Sequence, residues 1–350
     1  MGPIRLLIVD DSLLIRTFLR DLFQAEPDFE LIGAAADPYQ ARDLMRHTWP
    51  DVITLDVEMP KMNGIEFLRK VMGARPTPVV MLSTLTRRGA DITMQALEIG
   101  AFDCIPKPEM ATRSLLMALG EEIVTKVRLA AASTVHRQGV LKAAPPATKP
   151  GGIDPARAAT KAVVIGSSTG GVQALVSIFS RLPPEVPGIA LVQHMPPSFL
   201  ESLASQLEKK SALRVKVAGD GEPVRPGHVL IAPGDRHLEI MRHREGILTR
   251  LVQGPPVGYH LPAVNRLFMS AAHIGGSRIL GVILTGMGED GAAGMREMRQ
   301  RECLTVGQDR ESCVVYGMPK RALEMGGVAE QLPLADIPGR IGRFAEGGGE

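Results

Sequence analysis

Three polar side chains in the second half of this 350-residue chain are of the types that acyl transfer uses, and each follows an apolar run. The run Ala162–Ile165 leads into Gly166-Ser167-Ser168-Thr169-Gly170 and then an amphipathic stretch, which reads as strand, glycine-rich turn and helix. The turn fits G-x-S-x-G with Ser168 at its centre. Such a turn lifts a hydroxyl off the strand end beside a helix N-terminus, whose free N–H groups favour developing negative charge. The same pattern also serves as a helix cap or phosphate cradle, so it carries little by itself. A serine nucleophile needs a base, and the base needs an orienting acceptor. Of the eight histidines, His194 is best placed, one residue beyond the run Ile189–Gln193, and His260 in VGYHLP is its rival. The third element is RILGVILTGMGEDGAAGM, an apolar strand ending at Thr285, a turn carrying Asp290, and a helix beginning near Ala292. Backbone N–H groups of that turn, Met287's among them, are candidate oxyanion donors.

The same turn contains a competing pattern. Gly286-Met287-Gly288-Glu289-Asp290-Gly291 is a literal G-x-G-x-x-G between strand and helix, with Asp309 at a suitable distance downstream. Dinucleotide binding is therefore the alternative. Its strand comes late in the domain, however, and Glu289 and Asp290 would repel a pyrophosphate.

The first half holds a different constellation. Asp10 and Asp11 close the first apolar run, Asp56 closes the third, Ser83 ends the fourth, and Lys107 lies beyond the fifth. Three carboxylates brought together repel unless a cation sits among them, and a hard divalent ion such as Mg²⁺ suits that oxygen set. Ser83 and Lys107 are then placed to hold the other oxygens of a phosphoryl group on Asp56. Asp37 precedes a helical pattern and is expected to cap it.

These residues need strand ends that converge. In the first half the runs Ile4–Val9, Leu31–Ala36, Val52–Leu55, Val79–Leu82 and Asp103–Pro106 alternate with helical patterns; the second half repeats the style. That alternation predicts an α/β protein of two doubly wound parallel-sheet domains, in which sites form at the carboxyl ends of the strands. The expected division is 1–122, a linker at 123–157 and 158–350. Thr112 to Ala132 reads as a helix leading into a flexible Pro/Gly-rich tether at Ala143–Pro155. The final RFAEGGGE reads as a frayed tail. Forty Lys+Arg against 38 Asp+Glu, with 4% aromatics, argue against a nucleic-acid partner. No apolar run approaches the ~20 residues of a bilayer span, and the early acidic pair is unlike a secretory signal, so neither membrane insertion nor export is expected. Three cysteines without C-x-x-C predict no disulfide framework and a reducing cytoplasm.

Residues 4 to about 122 resemble the response-regulator receiver domain, through IVDDS, LDVEMPKMNGIEFL, VVMLST and PKP. The resemblance implies a flavodoxin-like fold and phosphorylation of Asp56 by a histidine kinase, with Asp10 and Asp11 helping to bind Mg²⁺. Receivers often carry an aromatic residue three before the lysine, where this chain has Cys104. Residues 160 to about 335 resemble the catalytic domain of the chemotaxis protein-glutamate methylesterase family, through VVIGSSTGG, LVQHMP, VLIAPGDRHLEI and ILTGMGEDGAAGM. This second resemblance implies a Ser168–His194–Asp290 triad, with Thr169 beside the nucleophile and Met287 at the oxyanion-hole position. Ala263 and Asn265 stand where that family usually has Ser and Asp.

The implied reaction is hydrolysis of glutamyl methyl esters on the cytoplasmic helices of methyl-accepting chemotaxis receptors, with receptor glutamine deamidation by the same chemistry. The esterase step needs no cofactor; the Mg²⁺ belongs to the receiver. A receiver joined to a hydrolase further predicts a gate, the unphosphorylated receiver covering the cleft and phosphorylation of Asp56 releasing it. The alternative from another functional class is a receiver-controlled dinucleotide- or ligand-binding domain without hydrolase activity.

Overall fold

The computed structural model of the protein describes residues 2–84, 86–107, 113–133, 153–244 and 246–347. Most of the proline-rich stretch Ala143–Pro155 and His136 lie outside the described residues. The chain divides into two compact units, residues 1–142 and 143–350.

The first unit alternates strand and helix throughout: β1 (Ile4–Val9), α1 (Leu13–Gln24), β2 (Phe29–Ala35), α2 (Pro38–His47), β3 (Val52–Asp56), α3 (Gly64–Ala74), β4 (Val79–Thr84), α4 (Arg87–Ile99), β5 (Asp103–Lys107) and α5 (Arg113–Ala132). The strands pair in parallel in the order β2-β1-β3-β4-β5. Parallel strands buried on both faces need apolar side chains in succession, and Leu6, Leu7, Ile8, Val9, Val79, Val80 and Met81 are fully buried. The helices start where a side chain satisfies their first amides. Ser12, Asp37, Asn63 and Thr86 each accept from a backbone N–H one turn in. Asp37 is thus the cap expected of it, and Lys61 also pairs with it at 2.5 Å. Helix α5 packs its later turns into this unit, with Ile123, Val124 and Val127 buried and Arg128 paired with Glu26 and Asp28.

The second unit contains α6 (Pro155–Ala158), β6 (Ala162–Ser167), α7 (Gly171–Phe179), β7 (Gly188–Gln193), α8 (Pro197–Lys210), β8 (Arg214–Val217), β9 (His228–Ile231), β10 (His237–His243) and β11 (Gly246–Val252). It continues with α9 (Val264–Ile274), β12 (Ile279–Ile283), α10 (Ala292–Gln300), β13 (Leu304–Gln308), α11 (Met318–Glu324), β14 (Glu330–Leu332) and α12 (Ile337–Glu346). Seven strands form one parallel sheet in the order β14-β13-β12-β6-β7-β9-β8. The expectation of two doubly wound parallel sheets is borne out.

Three features depart from the sequence reading. Strands β10 and β11 form an antiparallel hairpin outside the main sheet, in a stretch whose charged residues concealed it. Strands β13 and β14 extend the sheet beyond β12; both are short and carry polar residues, so periodicity did not separate them from their surroundings. The expected frayed tail is instead helical through Glu346: Phe344 is buried, and the ammonium of the buried Lys161 donates to its carbonyl at 2.5 Å. An aromatic side chain that can be buried outweighs the glycines after it, and Gly347 ends the helix in the left-handed conformation.

Each sheet has a switch point beside its first strand, where later strands are laid on the opposite side. In the first unit it lies between β1 and β3; in the second, between β12 and β6, since β7 lies on one side of β6 and β12 on the other. Loops leaving the strand ends diverge there and open a crevice, which is where a doubly wound sheet places its ligand.

Candidate active site

Ser167 ends β6 beside Gln193 at the end of β7, so the next residues along each strand, Ser168 and His194, are neighbours across the pair. The His194 amide donates to Ser167 O at 3.0 Å, closing that end of the ladder. Gln193, buried, ties the corner together. Its amide nitrogen donates to Ser168 O (2.9 Å) and His194 O (3.0 Å), and its oxygen accepts from the Ser167 hydroxyl at 2.6 Å. One side chain thereby fixes the backbone at both Ser168 and His194. Gly170 adopts φ 78°, and the close approach of Gln193 leaves no room for a side chain on Gly171. These glycines allow the sharp turn from β6 into α7.

The imidazole of His194 meets the carboxylate of Asp290, Nε2 to Oδ2 at 2.9 Å. The other ring nitrogen, Nδ1, is buried and has no hydrogen-bond partner among the described residues. Asp290 is itself buried, and it accepts from the amides of Val264 (2.7 Å, Oδ2) and Asn265 (2.9 Å, Oδ1). Those are the first amides of α9, whose N-cap residue Ala263 has no side chain to cap them. Asp290 therefore caps α9 from a distance, and the helix end in turn favours its charge. Burial pushes the Asp290 carboxyl up, but His194 and the two amides outweigh it and hold the group below the ordinary carboxylate value.

The turn backbones are partly committed. The Ser168 amide donates to Thr285 O and the Gly286 amide to Val315 O, both at 3.0 Å, so neither is free for an oxyanion. Met287 is half-buried next along the turn. Thr169 is buried, and its carbonyl accepts from the Thr285 hydroxyl at 2.9 Å, fixing the Ser168 turn to the β12 end.

Sequence reasoning missed three contributors. Gln193 sits in the run read as strand, where its polarity was the available signal. The α9 N-terminus left none, because the helix is capped by a residue 25 positions away. His237, buried, accepts from the Ala263 amide at Nδ1 (3.1 Å) and bonds Pro255 O through Nε2 (3.1 Å), clasping both ends of the 255–263 loop. That loop carries His260, whose ring stacks on His194.

The G-x-G-x-x-G reading fails on contact. Asp290 is aimed at α9 and His194, Glu289 pairs with Arg321, and Asp309 accepts from the Ser312 amide and hydroxyl within its own turn.

In the first unit, Asp10 and Asp56 meet at the switch point and share the ammonium of Lys107, at 2.7 and 2.8 Å. Oxygens of Asp10, Asp11 and Asp56 lie within 4.8 Å of one another. Burial pushes Asp56 up to about 6, with Lys107 opposing and Asp10 adding repulsion; burial likewise raises Asp10. Two buried carboxylates and the exposed Asp11, held this close with one ammonium among them, are the donor set a hard divalent cation satisfies. Ser83 stands at the end of the neighbouring strand, but its hydroxyl accepts from Thr93 (2.7 Å) and contacts Gly89 O (3.3 Å). Phe102 and Cys104 are buried, and burial pushes the Cys104 thiol up to about 12. All three cysteines are unbridged.

Residues 163–341 match the CheB methylesterase family, and residues 6–119 match the response regulator receiver domain. The chain is 47% identical to a protein of Thiobacillus denitrificans named protein-glutamate methylesterase/protein-glutamine glutaminase, over 99% of this chain and 98% of that one. The chain belongs to the CheB methylesterase family. A protein of Nitrosomonas europaea with the same name is 47% identical over 97% of this chain and 96% of its own. The CheB methylesterase catalytic domain of Thermotoga maritima superposes with a TM-score of 0.51 at 43% identity, covering 53% of this chain and 98% of that domain. The receiver match precedes the methylesterase match along the chain.

Proposed function

We propose that the protein hydrolyses γ-glutamyl methyl esters on the cytoplasmic helices of methyl-accepting chemotaxis receptors, using Ser168, His194 and Asp290. The observation that carries this reading is the His194 ring: one nitrogen is bound to a buried carboxylate, the other is buried and without a partner among the described residues, and His194 follows Gln193 as Ser168 follows Ser167 across the β6–β7 pair. Asp290 accepts two amide protons already, so the imidazole presents Nε2–H to it and keeps the lone pair on Nδ1. His194 Nδ1 takes the Ser168 proton as Oγ attacks the ester carbonyl. Asp290 stabilises the imidazolium, and turn amides, Met287's with them, hold the oxyanion. The same Nδ1 then protonates departing methoxide and, with water in its place, accepts a proton as hydroxide attacks the acyl-enzyme. A receptor glutamine enters the same cycle and loses ammonia. Thr169 keeps the nucleophile turn seated on Thr285.

The receiver domain supplies control. A histidine kinase is the phosphodonor, and Asp56 accepts the phosphoryl group. Asp10, Asp11 and Asp56 would hold Mg²⁺, which would supply charge compensation for that transfer. Lys107 pairs with the modified group, and Ser83 reaches it after leaving Thr93. The receiver takes 1–122 and the hydrolase 158–350, with the connection 123–157 beginning in the later turns of α5 that pack on the first unit. No described helix is long and apolar enough to cross a membrane, which fits action in the cytoplasm.

The test is methanol release from methylated receptor membranes. Wild type releases methanol and Ser168→Ala releases none above background. Equal release from the two proteins would overturn the assignment.

A further inference from the structure

The reaction accounts for one of two imidazoles at this site. His260 lies parallel to His194, with ring centroids 3.9 Å apart and 7° between the planes. Its side chain makes no hydrogen bond to any described residue. The backbone that presents it is tightly held. Val257 and His260 exchange backbone hydrogen bonds (3.0 and 3.1 Å) around Gly258 and Tyr259, both left-handed at φ 58° and 70°. Tyr259 is fully exposed, so no packing of its own repays a backbone conformation that costs a non-glycine residue about 1–3 kcal/mol. What the strained tip accomplishes is to lay the next ring flat on the base. The His237 clasp holds the rest of the loop.

We infer that His260 is a positioning residue for the esterase reaction: its ring covers one face of His194 and holds that imidazole in the plane joining Asp290 to Ser168. The inference rests on the triad assignment above. A hydrogen bond from Nε2 to Asp290 fixes one ring atom but leaves rotation about that bond free; a parallel ring at van der Waals distance removes it. Misplacing a reacting group by about 1 Å costs on the order of 10²-fold in rate. The stack also has to tolerate a charge, because His194 becomes an imidazolium in each half-reaction. A neutral aromatic face stabilises that cation, whereas a second imidazolium would repel it. Burial, with the His194 ring adding to it and Asp290 opposing, pushes His260 down to about 4, so it stays neutral while His194 cycles. The same depression makes His260 a poor base. The two histidines of the sequence reading therefore divide the work instead of competing for it.

The experiment compares wild type, Ser168→Ala, His260→Ala and His260→Phe as full chains, with a peptide carrying a glutamyl γ-methyl ester as substrate. We expect His260→Ala to lose on the order of 10²-fold in kcat with KM within about twofold of wild type. His260→Phe, which restores a flat ring without an imidazole, should recover most of that loss. Nitrogen NMR of His194 supplies a readout independent of turnover. Wild type and His260→Phe should show one tautomer, protonated at Nε2, and His260→Ala a mixture. An inactive Ser168→Ala with His260→Ala at wild-type kcat would sink the positioning role and spare the triad. Equal losses in the Ala and Phe variants, with the His194 signal unchanged in both, would sink it as well. Activity in Ser168→Ala equal to wild type would instead remove the triad reading.

Discussion

The carboxylate of Asp290 is asked to do two things: orient an imidazole and cap a helix. Both follow from its position, because one oxygen serves His194 and the Val264 amide while the other serves Asn265. Asp290→Asn keeps the size and loses the charge, and an amide nitrogen turned toward His194 selects the wrong tautomer. We expect about a 10⁴-fold fall in kcat, the order seen when a triad aspartate is neutralised. Stability responds too. The folded carboxyl titrates below the ordinary value of about 4, so its stabilisation is complete above that pH and is lost as the pH falls through the lower folded value. Chemical denaturation across pH 2–6 checks this, the acid fall in stability being shallower in Asp290→Asn than in wild type (a span chosen around the ordinary carboxylate value of ~4).

At the scale of elements, the site depends on two close approaches. The β6–β7 corner is locked by Gln193, and Gly171 makes room for it: a Cβ there would lie 2.2 Å from the Gln193 oxygen and 2.9 Å from the Ser167 Cβ. Gly171→Ala must displace the amide that holds Ser168 and His194. We expect a loss of about 1–3 kcal/mol in unfolding free energy from overpacking, with kcat reduced at least tenfold. A melt combined with ester turnover separates the two effects. The β6–α9 contact is equally tight, since a Cβ on Gly166 would fall 2.2 Å from Val264 Cγ1. Helix α9 must sit this close to the sheet for its first amides to reach Asp290. Both glycines were visible in the sequence only as parts of a turn motif; the neighbours that demand them come from strands and helices far along the chain.

For the whole molecule, the proposed function puts metal binding and hydrolysis in different domains, and that separation is testable. A small-molecule phosphodonor should stimulate ester turnover by the full chain, and chelating Mg²⁺ should remove the stimulation while basal turnover persists. Asp56→Asn should behave like the chelated protein, its basal rate intact. Steady-state rates with and without phosphodonor, Mg²⁺ and chelator check each arm. Loss of basal turnover on chelation would place a metal in the hydrolase. Equal rates under all conditions would show that phosphorylation does not control this enzyme.

Much of this was legible from the chain alone. Strand-and-helix alternation specified the two parallel sheets, because buried parallel strands must be apolar runs and their crossovers amphipathic. The polar residue ending each run singled out Ser168, His194, Asp10 and Asp56 as candidates, because a doubly wound sheet exposes little else at its carboxyl edge. What that pattern lacked was the identity of neighbours. That Asp290 caps α9, that Gln193 clamps the Ser168–His194 corner, that Ser83 bonds Thr93, and that His260 stacks on its rival are contacts across 10 to 66 positions. The α12 tail shows the same limit, since its glycines read as fraying until Phe344 has a core to enter. Local propensity and spacing act along the polymer, whereas the partner of a buried polar group, and the ring nitrogen left free to accept a proton, are decided only once distant strand ends converge.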